Sequence, residues 1–260
     1  WLALAAHAPL WMRDRYAELI HLGAGAVQAA RTVRDHDLQA RAHNHLGVTY
    51  GMTDRLDASE AELRLALRLW EELGDDNSVG RALNNLGLIA RRRGELREAI
   101  RCHERSLALF RLTDDPNRAA RALGNLGHVY QRLGDWERAI GVLGQAVDAF
   151  RTLGDRYRLA MAMGHIADTT RLAGRARDAV ERYAESLRVM RETGSRLGEA
   201  RQLWGLGNAW RDLGEPEVAR SHWHRSLRIL HGCGQLTDGE LERLLGQPSP
   251  DPPLPLQYES

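Results

Sequence analysis

Arg81-Ala82-Leu83-Asn84-Asn85-Leu86-Gly87 is followed forty residues later by Arg121-Ala122-Leu123-Gly124-Asn125-Leu126-Gly127. Arg41-Ala42-His43-Asn44-His45-Leu46-Gly47 precedes them at the same step. Arg201-Gln202-Leu203-Trp204-Gly205-Leu206-Gly207 follows, with Ala167 holding the glycine's place in between. A constant period of this length specifies a stacked array, in which each repeat buries its apolar face only against its neighbours. Chain length then sets a number of repeats rather than the size of one core.

Each period reads as two helices. Ala82, Leu83, Leu86, Gly87, Ile89 and Ala90 recur at three- and four-residue steps, which predicts a first helix from about Asn77 to Arg93. Gly94 stops it, and Gly134, Gly174 and Gly214 stand in the same place in later repeats. A second helix is predicted from about Leu96 to Leu112, carrying Ala99, Ile100, His103, Leu107 and Phe110. Gly74-Asp75, Asp114-Asp115, Gly154-Asp155 and Gly194-Ser195 then join a helix stop to a residue able to cap the next start. Small residues such as Gly87, Ala99 and Ser106, or Gly127, Ala139 and Ala146, fall where the two helices must approach closely.

The chain's 36 basic residues are all Arg, and 35 acidic residues leave a formal charge of +1. No long-range field draws such a chain to nucleic acid or anionic lipid, and lysine chemistry is excluded. Two cysteines, Cys102 and Cys233, are too few for a disulfide-stapled secreted domain, so a cytoplasmic setting is expected. The apolar start, Trp1 to Pro9, is far shorter than the ~20 residues of a membrane span and reads as a core-facing helix. Its opening in mid-repeat, on Trp rather than Met, leads to the expectation of a longer parent protein.

Leu-Gly in the first helix, an aromatic such as Tyr50, Tyr130 or Trp210 three residues on, and Ala in the second helix resemble the tetratricopeptide repeat. The resemblance implies an all-α, right-handed superhelix of about six helical hairpins. It covers five repeats, at 35–74, 75–114, 115–154, 155–194 and 195–234, after a partial repeat at 1–34. The usual period is shorter. Here the proline that ends the second helix in the family is replaced by Glu71, Arg111, Arg151, Arg191 and His231, so that helix can run on for another turn. The forty-residue phrase also resembles the C-terminal arrays of AfsR-type Streptomyces antibiotic regulatory proteins. That resemblance implies DNA-binding and nucleotide-binding domains elsewhere and a sensor or regulatory role for the repeats.

Beyond the repeats, Thr237 and Glu240 have capping-box spacing and open a short capping helix within 235–246. The Pro-rich segment 247–260 reads as an extended or disordered tail.

In the family, the first-helix side opposite the core lines a concave groove. Carried over, that places Arg41, Asn44 and His45, then Arg81, Asn84, Asn85 and Arg91, then Arg121, Asn125, His128 and Gln131 on the groove. His165, Asp168 and Arg171 follow, and Trp204, Asn208 and Arg211 complete the set. Amides suit the backbone of an extended peptide and Arg suits its carboxylates. The competing reading gives the Arg and Asn recurrences a structural role between neighbouring repeats. Arg91, Arg92 and Arg93 read as a solvated helix end at the favourable pole.

The paired histidines, His43 with His45 and His222 with His224, are two apart and diverge on a helix, so no metal site is expected. No nucleophile-base set and no cofactor motif is found, and the expected function is non-enzymatic. The partner is a protein or peptide segment, intramolecular segments included, with self-association or a ligand-free scaffold as the alternative. Neither direct nucleic-acid contact nor membrane attachment is expected.

Overall fold

A computed structural model of the chain describes residues 13–253 and residue 256. The expected core-facing helix at Trp1–Pro9 lies outside the described residues. Among those described there are twelve α-helices and no strand. The helices are α1 (Arg13–Thr32), α2 (His36–Met52), α3 (Leu56–Leu73), α4 (Asp76–Arg93), α5 (Leu96–Leu112) and α6 (Pro116–Leu133). They continue with α7 (Trp136–Thr152), α8 (Arg156–Leu172), α9 (Ala176–Glu192), α10 (Arg196–Asp212), α11 (Pro216–Gly232) and α12 (Asp238–Leu245). Thus α4 begins one residue before its expected start and α5 runs between its expected ends.

The turns show a finer period than the sequence phrase. Positive φ recurs every twenty residues, at Arg34, Asp54, Gly74, Gly94, Asp114, Gly134, Gly154, Gly174, Gly194, Gly214 and Gly234. Except at Ser195, whose N–H goes to Thr193 Oγ1, the residue after each left-handed position sends its N–H back five residues in Schellman fashion. Asp75 N to Trp70 O (3.0 Å), Glu95 N to Ala90 O (2.9 Å) and Asp115 N to Phe110 O (2.8 Å) are examples. Helix and turn together therefore occupy twenty residues whether the chain is leaving a first or a second helix.

First helices receive side-chain caps at a forty-residue step. Asp35, Asp75, Asp115, Asp155 and Ser195 accept from the backbone N–H three residues on, at 2.9, 3.0, 2.9, 2.9 and 3.2 Å. The starts at Arg55, Glu95, Arg175 and Glu215 have no side-chain cap.

The helices form two compact units, Trp1–Val129 and Tyr130–Ser260, with the boundary inside α6. In the N-terminal unit α1 packs on α2, and α2/α3 and α4/α5 are successive hairpins joined by α3 against α4. In the C-terminal unit α7 packs on α8, α8/α9 and α10/α11 are hairpins, and α12 closes on α11. Each unit is thus a solenoid-type stack of helical hairpins. Within hairpins a buried serine of the second helix donates to a carbonyl of the first. Ser59 reaches Gly47 O, Ser106 Gly80 O, Ser186 Ala160 O and Ser226 Ala200 O, all at 2.7 Å. These bonds satisfy hydroxyls at the small-residue contacts.

Thr237 and Glu240 form the capping box that starts α12. Beyond it, Pro250 and Pro253 are buried and Leu256 packs against the cluster that holds Leu230, Leu236 and Leu244. The described part of the tail packs against the apolar end of α10–α12, which offers proline and leucine side chains a place out of water. Residues 254, 255 and 257–260 lie outside the described set.

Candidate functional site

In the N-terminal unit the first-helix residues separate into a buried relay and an exposed basic set. Asn85 Nδ2 donates to Asn44 Oδ1 at 2.9 Å, and Asn125 Nδ2 donates to Asn84 Oδ1 at the same distance. These bonds tie α2 to α4 and α4 to α6 through an offset of forty-one residues. Asn44 is only 4% exposed, so its amide holds helices together instead of facing a ligand. Gly124 stands where Asn44 and Asn84 stand in earlier repeats, and an added Cβ there would meet nothing within 4 Å.

Arg41 and His45 are exposed on α2, and Arg121 is exposed on α6. Arg41 pairs with Asp37 at 2.8 Å. Burial, then the charges of Arg81 and other neighbouring cations, lowers the His45 pKa, so the neutral ring is favoured. Arg81 is half-buried, with its guanidinium carbon 5.3 Å from the centre of the Trp70 ring. Arg91, Asn84, Asn85, Asn125 and His128 are half-buried.

The Arg91–Arg93 run is not simply a solvated terminus. Arg92 pairs with Asp54 at 3.1 Å, and Arg93 meets both Asp57 and Glu60 at 2.5 Å. The sequence distance hid these partners, since they belong to the preceding hairpin.

In the C-terminal unit, Gln131 and His165 are half-buried and Arg211 is exposed. Trp204 is 6% exposed and its ring lies 6.0 Å from that of Trp223, so it belongs to the core and not to an open face. Its place on the groove is corrected accordingly: the indole is too large and apolar to leave in water when Trp223 lies beside it. Asn208 Oδ1 accepts from Trp223 Nε1 at 3.2 Å, and Asp168 accepts from the Tyr183 hydroxyl. Burial raises the Asp168 pKa, against the pull of Tyr183, Arg171 and Arg201. Arg171 pairs with Asp212 at 2.8 Å, and Arg211 reaches the same carboxylate at 3.0 Å.

Sequence reasoning missed a forty-residue column of buried second-helix residues, of which Leu63, His103 and Trp223 face the recurrent glycines Gly47, Gly87 and Gly207. Positions 63, 103, 143, 183 and 223 carry Leu, His, Leu, Tyr and Trp, all buried. A Cβ on Gly87 would lie 2.7 Å from His103 Cε1, and one on Gly207 would lie 2.5 Å from Trp223 Nε1. The small residue, glycine or Ala167, is the constant and the knob is the variable. His103 is 0% exposed, and neither ring nitrogen has a hydrogen-bond partner. Burial, followed by the charges of Arg91 and His128, lowers its pKa to about 3.

Burial, followed by Glu98, pushes the Cys102 thiol up to about 12, which suppresses the nucleophilic thiolate. His43 is buried against Glu62 at 2.5 Å while His45 faces solvent, so this pair diverges. Among the described residues no group of three His, Cys, Asp or Glu side chains gathers as a metal site. No helix among them is long and apolar enough to cross a membrane.

The sequence model of the tetratricopeptide repeat matches residues 52–112 and 118–192, more than half of the chain. The chain belongs to the tetratricopeptide repeat family. Solved structures share the fold at low identity. BtubC (BKLC) from P. vanneervenii superposes with a TM-score of 0.74 at 18% identity, covering 85% of this chain and 93% of that one. The quorum sensor NprR from B. thuringiensis gives 0.65 at 14%, covering 85% of this chain and 63% of its own. A signal transduction ATPase with numerous domains and a tetratricopeptide repeat sensor, from Pyrococcus horikoshii, gives 0.67 at 14%, covering 90% of this chain and 39% of that protein. No curated protein matches this tetratricopeptide repeat chain.

Proposed function

We propose that this tetratricopeptide repeat chain is a non-enzymatic module that binds a protein or peptide segment on its first-helix face. It serves in the cytoplasm as the sensor or regulatory arm of a larger bacterial transcriptional regulator of the AfsR type. The observation that carries the binding reading is the exposed set Arg41 and His45 on α2 and Arg121 on α6, while the amides beside it are used up between helices. Support for the regulatory reading comes from the shared fold of a quorum sensor and of a STAND protein whose repeats are described as a sensor. Segments of the parent regulator count among the ligands, and occupancy shifts the parent by the difference in affinity between its states.

The binding surface is thereby narrower than the sequence implied. Asn44 and Trp204 are left out because they are buried, and Asn85 and Asn125 because their amides are spent on neighbours. The test is selection of binders from a random peptide library by the intact chain and by a variant with Arg41, His45 and Arg121 all changed to Ala. The variant is expected to lose the selected peptides; unchanged affinity overturns the assignment.

The Asn relay specifically favours a second reading, an array whose recurrent polar residues are structural and whose task is scaffolding or self-association. Sedimentation of the intact chain over a range of concentrations separates the two: a stable oligomer with no selected peptide supports the scaffold.

A further inference from the structure

We infer that the second-helix side of the N-terminal unit holds a binding slot for a small, neutral, apolar molecule, seated between α3 and α5 with α4 as its floor. The slot is a cavity of about 150 Å³. Leu83, Leu86, Ile89 and Ala90 of α4 form the floor, with Leu67 of α3 and Cys102 of α5 on either side. The floor residues and Cys102 each keep 5–7% of their surface exposed, whereas Leu63, Ala82 and Ala99 nearby keep none. The floor is therefore reached from outside and is not sealed core.

One column of the repeat accounts for the slot. Positions 62, 102, 142, 182 and 222 on the second helices carry Glu, Cys, Val, Arg and His, of which Cys102 is the smallest and the one that is buried. So short a side chain leaves α3 and α5 without a filler between them, where a packed interior would tolerate few voids. Its Sγ donates to Glu98 Oε1 at 3.5 Å. Burial, then Glu98, keeps the thiol protonated, with its pKa pushed up to about 12, so this wall of the slot is uncharged.

The charged rim decides the class of ligand. Glu60 accepts from Arg64 at 2.8 Å and from Arg93 at 2.5 Å, and Glu98 accepts from Arg101. Arg105 is held by Glu71 at 2.8 Å, and Glu95 stands 3.9 Å from Arg93. Charges already paired within the chain offer no counter-ion, so a charged ligand would give up its water without compensation. An apolar molecule gains instead by displacing water from an aliphatic floor that cannot hydrogen-bond it. An apolar cavity of roughly 150 Å³ lined by aliphatic side chains takes one benzene-sized ring. Such a ligand touches α3, α4 and α5 at once and ties two successive hairpins together. The slot shares no residue with the exposed set Arg41, His45 and Arg121.

Benzene is the probe, titrated into the intact chain while the methyl resonances of Leu83, Leu86 and Ile89 are followed. Saturable shifts confined to the methyls of the slot are expected. Cys102→Leu, which fills the slot, should weaken benzene binding at least ~10-fold, and Cys102→Ser, which keeps the side chain small, should leave it within about twofold. Benzoate, the charged counterpart, should bind at least ~10-fold more weakly than benzene. Alkylation by iodoacetamide gives a second readout that needs no variant. Benzene at about ten times its dissociation constant should slow alkylation of Cys102 roughly 10-fold and leave Cys233, in the other unit, unchanged.

Shifts that do not saturate, or that persist unweakened in a folded Cys102→Leu chain, overturn the slot. Equal slowing of Cys102 and Cys233 does the same, and if Cys102→Leu melts early the two alkylation rates decide the matter alone. Benzoate binding as tightly as benzene overturns the neutral class of ligand. Binding of N-acetyl-leucinamide without binding of benzene assigns the slot to a side chain of a protein partner and overturns the small-molecule assignment. None of these outcomes bears on the first-helix face, whose peptide selection is a separate measurement.

Discussion

The two units meet one steric requirement with different polar partners for what fills it. In both, a second-helix side chain enters the notch left by a glycine or alanine of the first helix. In the C-terminal unit the polar knobs bond across the hairpin, Tyr183 to Asp168 and Trp223 to Asn208. In the N-terminal unit polar groups of the first helices bond along the stack, Asn85 to Asn44 and Asn125 to Asn84, and His103 is left with no partner for either nitrogen. The lesson is that the notch fixes volume, while each unit solves the hydrogen-bonding of what fills it separately. In the C-terminal unit Gln202 Oε1 is a buried polar atom without a hydrogen-bond partner.

The largest test of that difference is Trp223→Ala, which removes both the volume and the bond to Asn208. A loss of about 3–5 kcal/mol is expected, with amide exchange accelerating first in α10 and α11. Uniform acceleration through both units would show that the wiring is not local.

Next is His103→Leu, which gives the N-terminal unit the knob that Leu63 and Leu143 already provide. Removing two unpartnered buried nitrogens should raise stability by about 1–3 kcal/mol. The same variant tests the titration. The unfolded ring takes its proton near ~6.5, the folded one at about 3, so between those values the unfolded chain binds more protons and stability falls as pH drops. Above ~6.5 the contribution is fully present, and it is lost progressively toward about 3. Melts of the wild type from neutral to acid pH should show that slope, at up to ~1.4 kcal/mol per pH unit, and His103→Leu should flatten it.

Asn85→Ala is expected to cost roughly 1–2 kcal/mol, because it strands the buried Asn44 oxygen. Asn125→Ala should cost less, since Asn84 is half-buried. Equal losses in denaturant titrations would argue that the relay acts as one piece. The smallest effect is at Asp114, with φ 52° where most repeats have glycine. Asp114→Gly should gain about 0.5 kcal/mol, relief of the left-handed strain being partly offset by a freer unfolded chain.

What was legible in the sequence was what repeats at its own period. Caps and stops are local backbone chemistry, so Asp75, Gly94 and Asp115 announced helix ends before any tertiary contact was known. The knobs were not legible because Leu63, His103, Leu143, Tyr183 and Trp223 share a place and no chemistry; only the glycine opposite shows that the place is one. The Asn residues misled for a geometric reason. Aligned by forties, Asn85 and Asn125 form one column and Asn44 and Asn84 another, which looks like two rows of free amides. The bonds run with an offset of forty-one, joining one column to the other.

The turns that recur every twenty residues make the length of this array a quantised quantity. Arg81–Gly87 and Arg121–Gly127 are near copies in the same phase. Unequal crossing-over between them would therefore excise or duplicate one whole hairpin and return every left-handed residue to its proper turn. Such an array can evolve by whole-hairpin steps in reach, while a change of a few codons within a helix would throw every downstream face out of alignment.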